Sequence, residues 1–439
     1  MNAEVRPMKT AAELALAQAY ASAKPTLPGL ADARDEAFRQ FDIRGLPHRR
    51  VEEWKYTDLR ALMREAKPLA APPDAKAKAR AKSAGKLAGV NCRRIVFADG
   101  MLVKELSDLR GLERGLGIGS LADALTAGDQ DVVNRLGRIV PDTNDVAFAL
   151  NTAFMGDGAV IYVAPDKHIE RPIALVFATS AEKPTSTFTR SLVVLDKGAQ
   201  LTLIEVHEGD AGSQSQANNA LELSLGDGAQ LDYVKLTTGD QALHVSTTMA
   251  AVGAKARLNT FAFTTGGTVV RNQMFLQLDG SGTHAGIRGA NLLQGRQHVD
   301  TTLVVDHRAG GCESREQFKS VLDGESRGVF QGKIIVRPHA QKTDGKMMTQ
   351  ALLLSEQAEA DNKPELEIFA DDVQCGHGAT AGALDEELLF YLKARGIPAK
   401  EAEALLIQAF IGEAVEAVLH EGLREALMHK AIEWLRARA

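Results

Sequence analysis

The 439-residue sequence is poor in aromatic side chains, at 5%, and holds three cysteines. So few rings leave little material for a base-stacking platform. A formal net charge of −6 lacks the basic excess that a nucleic-acid surface needs. Cys92, Cys312 and Cys375 lie far apart with no CxxC pair, which argues against a disulfide framework and for a reducing, cytoplasmic setting. No run of about 18 apolar residues occurs, so no helical membrane span is expected. The opening MNAEVRPMKTAAELALAQAY makes a poor signal peptide, because Glu4, Lys9 and Glu13 interrupt its apolar stretch.

Signatures of familiar chemistry are also missing. The nearest approach to a phosphate loop, Gly328 to Lys333, has the wrong spacing and no hydroxyl after the lysine, so ATP hydrolysis is not expected of this chain. There is no dinucleotide-binding GxGxxG, no GxSxG elbow and no HExxH pair. Asp371 and Asp372 are adjacent; on a strand they would face opposite sides and could not share acid–base work. His284, His298, His307 and His339, scattered among Gly, Asp and Arg, read as surface or hydrogen-bonded histidines.

What is present divides the chain by texture. Residues 1–66 read as helical, with Leu16, Ala17 and Tyr20 on one helix face and Ala33, Ala37, Phe38 and Phe41 on another, which stops at Gly45-Leu46-Pro47. Residues 67–90, rich in Ala, Lys and Pro, read as a solvated linker or exposed helix. Residues 91–383 consist of short apolar runs punctuated by glycine. Residues 384–439 are helical again. Asp385, Glu386 and Glu387 suit a helix N-terminus, Leu388, Leu389, Tyr391 and Leu392 give an apolar face, and Gly396 and Pro398 give a stop.

The middle region repeats. Gly198-Ala199-Gln200-Leu201 recurs 30 residues later as Gly228-Ala229-Gln230-Leu231, and Gly253-Ala254-Lys255-Ala256 echoes it 25 residues further on. Each unit is a strand, a glycine turn and a strand, with Leu231, Tyr233 and Lys235 alternating against Asp232 and Val234. A loose period of 25 to 30 residues, with no long helical pattern between 141 and 383, favours a β-solenoid over a sandwich or barrel.

One constellation remains, Cys375-Gly376-His377. If the segment continues the strand LEIFADDV, Cys375 and His377 point to one face and Gly376 away. A thiolate and an imidazole suit zinc, iron or an iron–sulfur centre, yet two ligands are too few for a closed site. Either there is no metal, only a buried thiol beside a turn histidine, or the remaining ligands come from another chain.

The blocks EEWKYTDLRAL (52–62), AQKTDGKMMTQ (340–350) and LLLSEQAEADNKPELEIFADDVQCGHGATAGALDEELLFYLKARGI (352–397) resemble, in order and spacing, the SufD family of iron–sulfur cluster assembly scaffolds. The sister SufB family shares the FYL…RGI element. It typically carries a glutamate-histidine-glutamate-alanine-threonine run where this chain reads CGHGAT, so the HGAT form and the EEWKYT block favour SufD. Gly376 departs from the family's usual serine or small polar residue. The resemblance implies a mainly β protein, a right-handed parallel β-helix flanked by N-terminal and C-terminal helical domains, which agrees with the independent solenoid reading. It further implies a non-catalytic scaffold that pairs with SufB, docks the ATPase SufC through its C-terminal helices, and is supplied indirectly by a cysteine desulfurase system. A transient iron–sulfur cluster would form at the SufB–SufD interface, with His377 matching the family's ligand, Cys375 beside it and the other ligands on SufB. A reduced flavin at the level of the complex and a homodimer of the isolated chain are additional expectations. The alternatives are a SufB-type paralogue and a β-helix polysaccharide lyase or hydrolase. The enzyme reading is disfavoured by the few aromatics and the unpaired carboxylates.

Overall fold

The computed structural model describes residues 8–140, 144–209, 212–239 and 241–438, so Glu4 lies outside the described residues. From His168 onward the chain winds between two sheets, leaving one strand in each per coil. The ten-stranded sheet stacks His168–Thr179, Gln200–Gly209, Gln230–Thr237, Arg257–Thr264, His284–Leu293, Glu313–Leu322, Asp344–Leu353 and Gln374–Gly382 in parallel. The nine-stranded sheet stacks Ser186–Leu195, Gln216–Leu225, Leu243–Val252, Val269–Leu278, His298–His307, Arg327–Val336 and Glu359–Ile368. The result is a β-solenoid of about seven turns. At its first end the antiparallel strands Met101–Leu102 and Leu116–Ser120 close the two sheets.

Register across coils is direct. Gln200 pairs with Gln230 and Leu201 with Leu231, so the 30-residue repeat is one coil. The next coil is shorter: Gln230 pairs with Arg257. The residue equivalent to Gly228 (φ +68°) is therefore Lys255 (φ +56°), and Gly253 sits two residues before the turn's left-handed position. That position repeats down the solenoid at Gly198, Gly228, Lys255, Gly282, Gly311 and Lys342. Each donates its N–H to a carbonyl in the next coil's turn, as from Gly228 to Ala254 O at 2.8 Å and from Lys342 to Asp372 O at 2.7 Å. A small buried residue follows each one: Ala199, Ala229, Ala256, Thr283, Cys312 and Thr343. Cys312 is thus a turn-filling side chain.

Many central strands carry apolar side chains on both faces, where both are covered. Leu201, Leu231 and Leu258 fill the interior, whereas Ile204, Val234 and Phe261 face outward. The helices Ala399–Val415 and Glu421–Arg438 lie over that outer face, with Ile407, Ile411, Leu427 and Trp434 buried in the same cluster as Val321 and Leu292. Lys319 reaches from the sheet to Glu413 and lies over the Phe410 ring. The helices Ala11–Ala23 and Ala31–Arg44 cover the outer face of the nine-stranded sheet, packing with Trp54, Leu150 and Val245.

Three local readings change. The span 141–383 does contain a helix, Val146–Phe154, nine residues long and buried along nearly its whole length. Ala33 is exposed, and its neighbour Arg34 is buried instead, because its guanidinium donates to the carbonyls of Pro28, Gly29, Ala153 and Met155 and so caps the C-terminus of helix Val146–Phe154. Burial, with Arg190 repulsion behind it, lowers the Arg34 pKa to about 10. Within residues 67–90 the short helix Ala75–Ala81 buries Ala77 and Ala81, so this stretch packs on the solenoid.

The block EEWKYT acquires a structural role. Trp54 is buried, donates from Nε1 to Asp145 Oδ2 at 3.0 Å and lies under the Arg271 guanidinium, 3.9 Å from ring centroid to Cζ. Arg271 is ion-paired with Asp300, which also accepts from the Thr57 hydroxyl. These bonds fasten the N-terminal region to the nine-stranded sheet.

Candidate functional site

Cys375 and His377 lie in the last strand of the ten-stranded sheet, Gln374–Gly382. This strand does not continue Glu359–Ile368, which belongs to the other sheet; a turn at 369–373 separates them and contains Asp371 and Asp372. The two-residue spacing still places both side chains on one face. Cys375 pairs in register with Gly345, and His377 with Met347. Met347 belongs to the interior cluster, so Cys375 and His377 project toward the solenoid axis.

They do so at an open end. Gln374–Gly382 and Glu359–Ile368 are the terminal strands of their sheets, each with a partner on one side only. His377 is therefore exposed although it faces inward, and Cys375 is half-buried against the core. Ile368 and Phe369 stand uncovered beside them. Both sheet edges, a thiol and an imidazole share this surface. Among the described residues nothing lies within 4 Å of where a Gly376 Cβ would stand, so a serine there would be accommodated.

Burial pushes the Cys375 thiol above its ordinary value; the Gly345 backbone opposes this, and the charges of Asp344 and Glu316 add to it. In the free chain the sulfur is held as the thiol, and a metal bound there would have to displace that proton. Beneath His377 in the same interior column stand Met347 and then Glu316. Burial raises the Glu316 carboxyl to about 8, with the Ser314 hydroxyl and the charges of Arg315 and Arg288 opposing that shift. Among the described residues no group of three or more His, Cys, Asp or Glu side chains is arranged to hold a metal ion. Cys92 and Cys312 are buried elsewhere, and burial raises both thiols.

Of the other histidines, His298 bonds Thr57, His307 bonds Ser314, and His284 pairs with Glu313 at 3.4 Å. Sequence reasoning missed a polar cluster inside the middle coils. His207 hydrogen-bonds Glu205, Tyr233 donates to Glu205 at 2.9 Å, and Lys235 donates to Asn272 at 2.9 Å. His244 tilts against His207, ring centroids 4.4 Å apart, with both its nitrogens unpartnered. Burial lowers Lys235 to about 8 and holds His244 well below its ordinary value. The signal was legible in the alternation that placed Lys235 on the side of Leu231 and Tyr233.

The apolar face foreseen at Leu388, Leu389, Tyr391 and Leu392 is partly uncovered, with Leu389 and Leu392 half-buried. Helix Glu386–Ala394 buries none of its residues, and Leu388, Phe390 and Tyr391 are 51%, 72% and 52% exposed. A separate cavity of about 680 Å³ lies on the outer face of the nine-stranded sheet near Trp54, but its lysines are already paired, Lys363 with Glu52 and Lys333 with Glu367. No helix among the described residues is long and apolar enough to cross a membrane.

A two-sheet solenoid with helices on both outer faces is the architecture in hand, and comparison with known proteins shows the family that shares its sequence. Residues 177–410 match the SUF system FeS cluster assembly SufBD core domain, and residues 13–175 match the SufBD protein N-terminal region. The chain belongs to the SufBD family of iron–sulfur cluster assembly proteins. Within it the chain is SufD-like. It is 31% identical over 390 residues to the iron–sulfur cluster assembly protein SufD of Escherichia coli, covering 88% of each chain. It is also 31% identical over 386 residues to a SufBD family protein of Synechocystis, covering 85% of this chain and 84% of that one.

Proposed function

We propose that the chain is a scaffold subunit that pairs with a SufB-type sister through its open end and docks a SufC-type ATPase through its C-terminal helices. The nascent iron–sulfur cluster is cargo, formed where the two sisters meet. The observation that carries this reading is the coincidence, at one end, of two unpaired sheet edges with the inward row containing Cys375 and His377. Parallel edges with free N–H and C=O groups accept a further strand each, and a sister solenoid offers two. Such a partner would also supply the ligands that this chain lacks.

In this reading His377 is a ligand from this side of the interface and Cys375 is its neighbour. Residues 1–66, 67–90, 91–383 and 384–439 serve as helical cover, connector, β-helix and ATPase-docking region. The chain itself is non-catalytic, and sulfur arrives from a cysteine desulfurase system. An isolated copy uses the same open end to form a homodimer. The reduced flavin finds no support in the site or in the relatives and forms no part of the proposal.

Co-expression of the chain with its SufB-type and SufC-type counterparts, followed by size-exclusion chromatography, tests the assembly. One complex containing all three, lost when Ile368 and Phe369 are both changed to Lys, is the expected result. Co-elution untouched by those changes would place the pairing surface elsewhere.

A further inference from the structure

The outer face of the ten-stranded sheet carries a concavity of about 170 Å³, separate from the open end and lined by Arg257, Asn259, His284, Arg288, Glu313 and Arg315 over Gly286. Three successive strands build it. Register sets Arg257, His284 and Glu313 in one row and Asn259, Gly286 and Arg315 in the next.

Gly286 opens the space. A Cβ there would collide with Arg288 Nη1 and stand 2.9 Å from Asn259 Oδ1, so the guanidinium lies back over the glycine and into the concavity. Arg288 is half-buried, yet its guanidinium makes no hydrogen bond or ion pair with a described residue. Arg257, exposed at the side of the concavity, is also unpaired among the described residues. The carboxylate at the rim is already engaged: Glu313 faces His284 at 3.4 Å and Arg315 at 3.1 Å, and Arg315 also holds Asp344 at 2.6 Å. Two guanidinium forks thus remain without acceptors, on a chain whose net charge is −6.

Half-buried polar groups normally find partners, and a guanidinium fork matches the paired oxygens of an oxyanion. We infer that this concavity is an anion subsite that takes a phosphate group, free or at the end of a larger molecule. Arg288 provides the fork from the floor, Arg257 closes from the side, and the His284 ring lines the rim, whereas the Asn259 amide is turned away, donating to Asp232 at 2.9 Å. The space suits one phosphate with its waters and is too small to enclose a nucleotide, so any larger body would lie out over the sheet.

Isothermal titration of the full chain with inorganic phosphate, and separately with AMP, at matched ionic strength tests the site. The wild type binds, and Arg288→Gln weakens binding roughly tenfold or more, the loss expected for a charged hydrogen-bond donor. Gly286→Ala, which displaces the guanidinium, reproduces the loss, while Arg296→Gln, at an exposed arginine paired with Glu325, leaves binding unchanged. Unaltered thermal melts of the variants separate lost binding from lost folding. Equal affinities assign the site to the phosphate group alone, and tighter AMP binding assigns it to a terminal phosphate on a larger ligand. Wild-type binding of neither probe, or undiminished binding by Arg288→Gln, would overturn the inference.

Discussion

Cys375 stands in register over Gly345, and among the described residues no further strand lies above it. Because Gly345 has no side chain, the thiol reaches down to the core while staying half-exposed at the open end. His377, above Met347, shares its face. A soft and a borderline donor are thereby presented together on a surface whose backbone hydrogen bonding is unfinished, which suits a cargo that must be made and then released.

One buried contact set helps to fasten the N-terminal region. Arg271 and Asp300 are both essentially inaccessible, and Trp54 lies under the guanidinium. Removing one member of a buried pair leaves the other charge uncompensated. Arg271→Ala should therefore destabilise the chain by about 3–5 kcal/mol in urea unfolding. Limited proteolysis should then cut first within residues 8–66.

The left-handed turn column makes a paired prediction. Nothing lies within 4 Å of a Cβ built on Gly228, so Gly228→Ala tests backbone strain alone and should cost about 1 kcal/mol. Lys255→Gly, at the equivalent position of the next coil, removes the same strain and should be neutral or stabilising. Thermal melts of the two variants check the opposite signs.

Lys235 sets a pH dependence. Its folded pKa, about 8, lies below its ordinary 10.5 because burial disfavours the ammonium, with Glu205 opposing that shift and Tyr233, His207 and His244 nearby. Between these values the unfolded chain binds more protons than the folded one. The Lys235 contribution to stability therefore rises with pH across that window and is least favourable below 8. Lys235→Met, similar in volume, should raise the melting temperature at pH 7 and flatten the rise between pH 8 and 10. A variant that melts lower at pH 7 would show that the Asn272 hydrogen bond outweighs the burial penalty, and an intact rise would show that another group causes it.

The exposed helix Glu386–Ala394 makes the docking reading testable. Leu388 and Phe390 are exposed and outside the core, so Leu388→Ser with Phe390→Ser should leave the unfolding free energy within about 0.5 kcal/mol of wild type. Co-purification of the SufC-type ATPase should fail, while pairing with the SufB-type sister persists.

Much of this architecture was legible from residues. The 30-residue repeat marked one coil, and the turn glycine at 198 and 228 marked its tightest point. The third coil misled because Lys255 tolerates the left-handed conformation, so the visible Gly253 was two residues out of register. Helix Val146–Phe154 was hidden because burial on nearly all sides erases the polar stripe that periodicity relies on. Arg34 was passed over because a charged residue is not counted toward a core, although five main-chain groups on two segments can satisfy its guanidinium. At the site, the shared face of Cys375 and His377 followed from their spacing. Their place at an uncovered end did not, since that depends on which strand is last in each sheet.

The central claim is that this open end contributes a ligand to a cluster built with a partner. The most direct test is anaerobic reconstitution, with iron and sulfide, of the complex carrying His377→Ala, read by the visible absorbance of the cluster and by bound iron. The account predicts a normally folded chain that still assembles with both partners but yields little or no cluster. Cluster formation at the wild-type level in that assembled complex would contradict it.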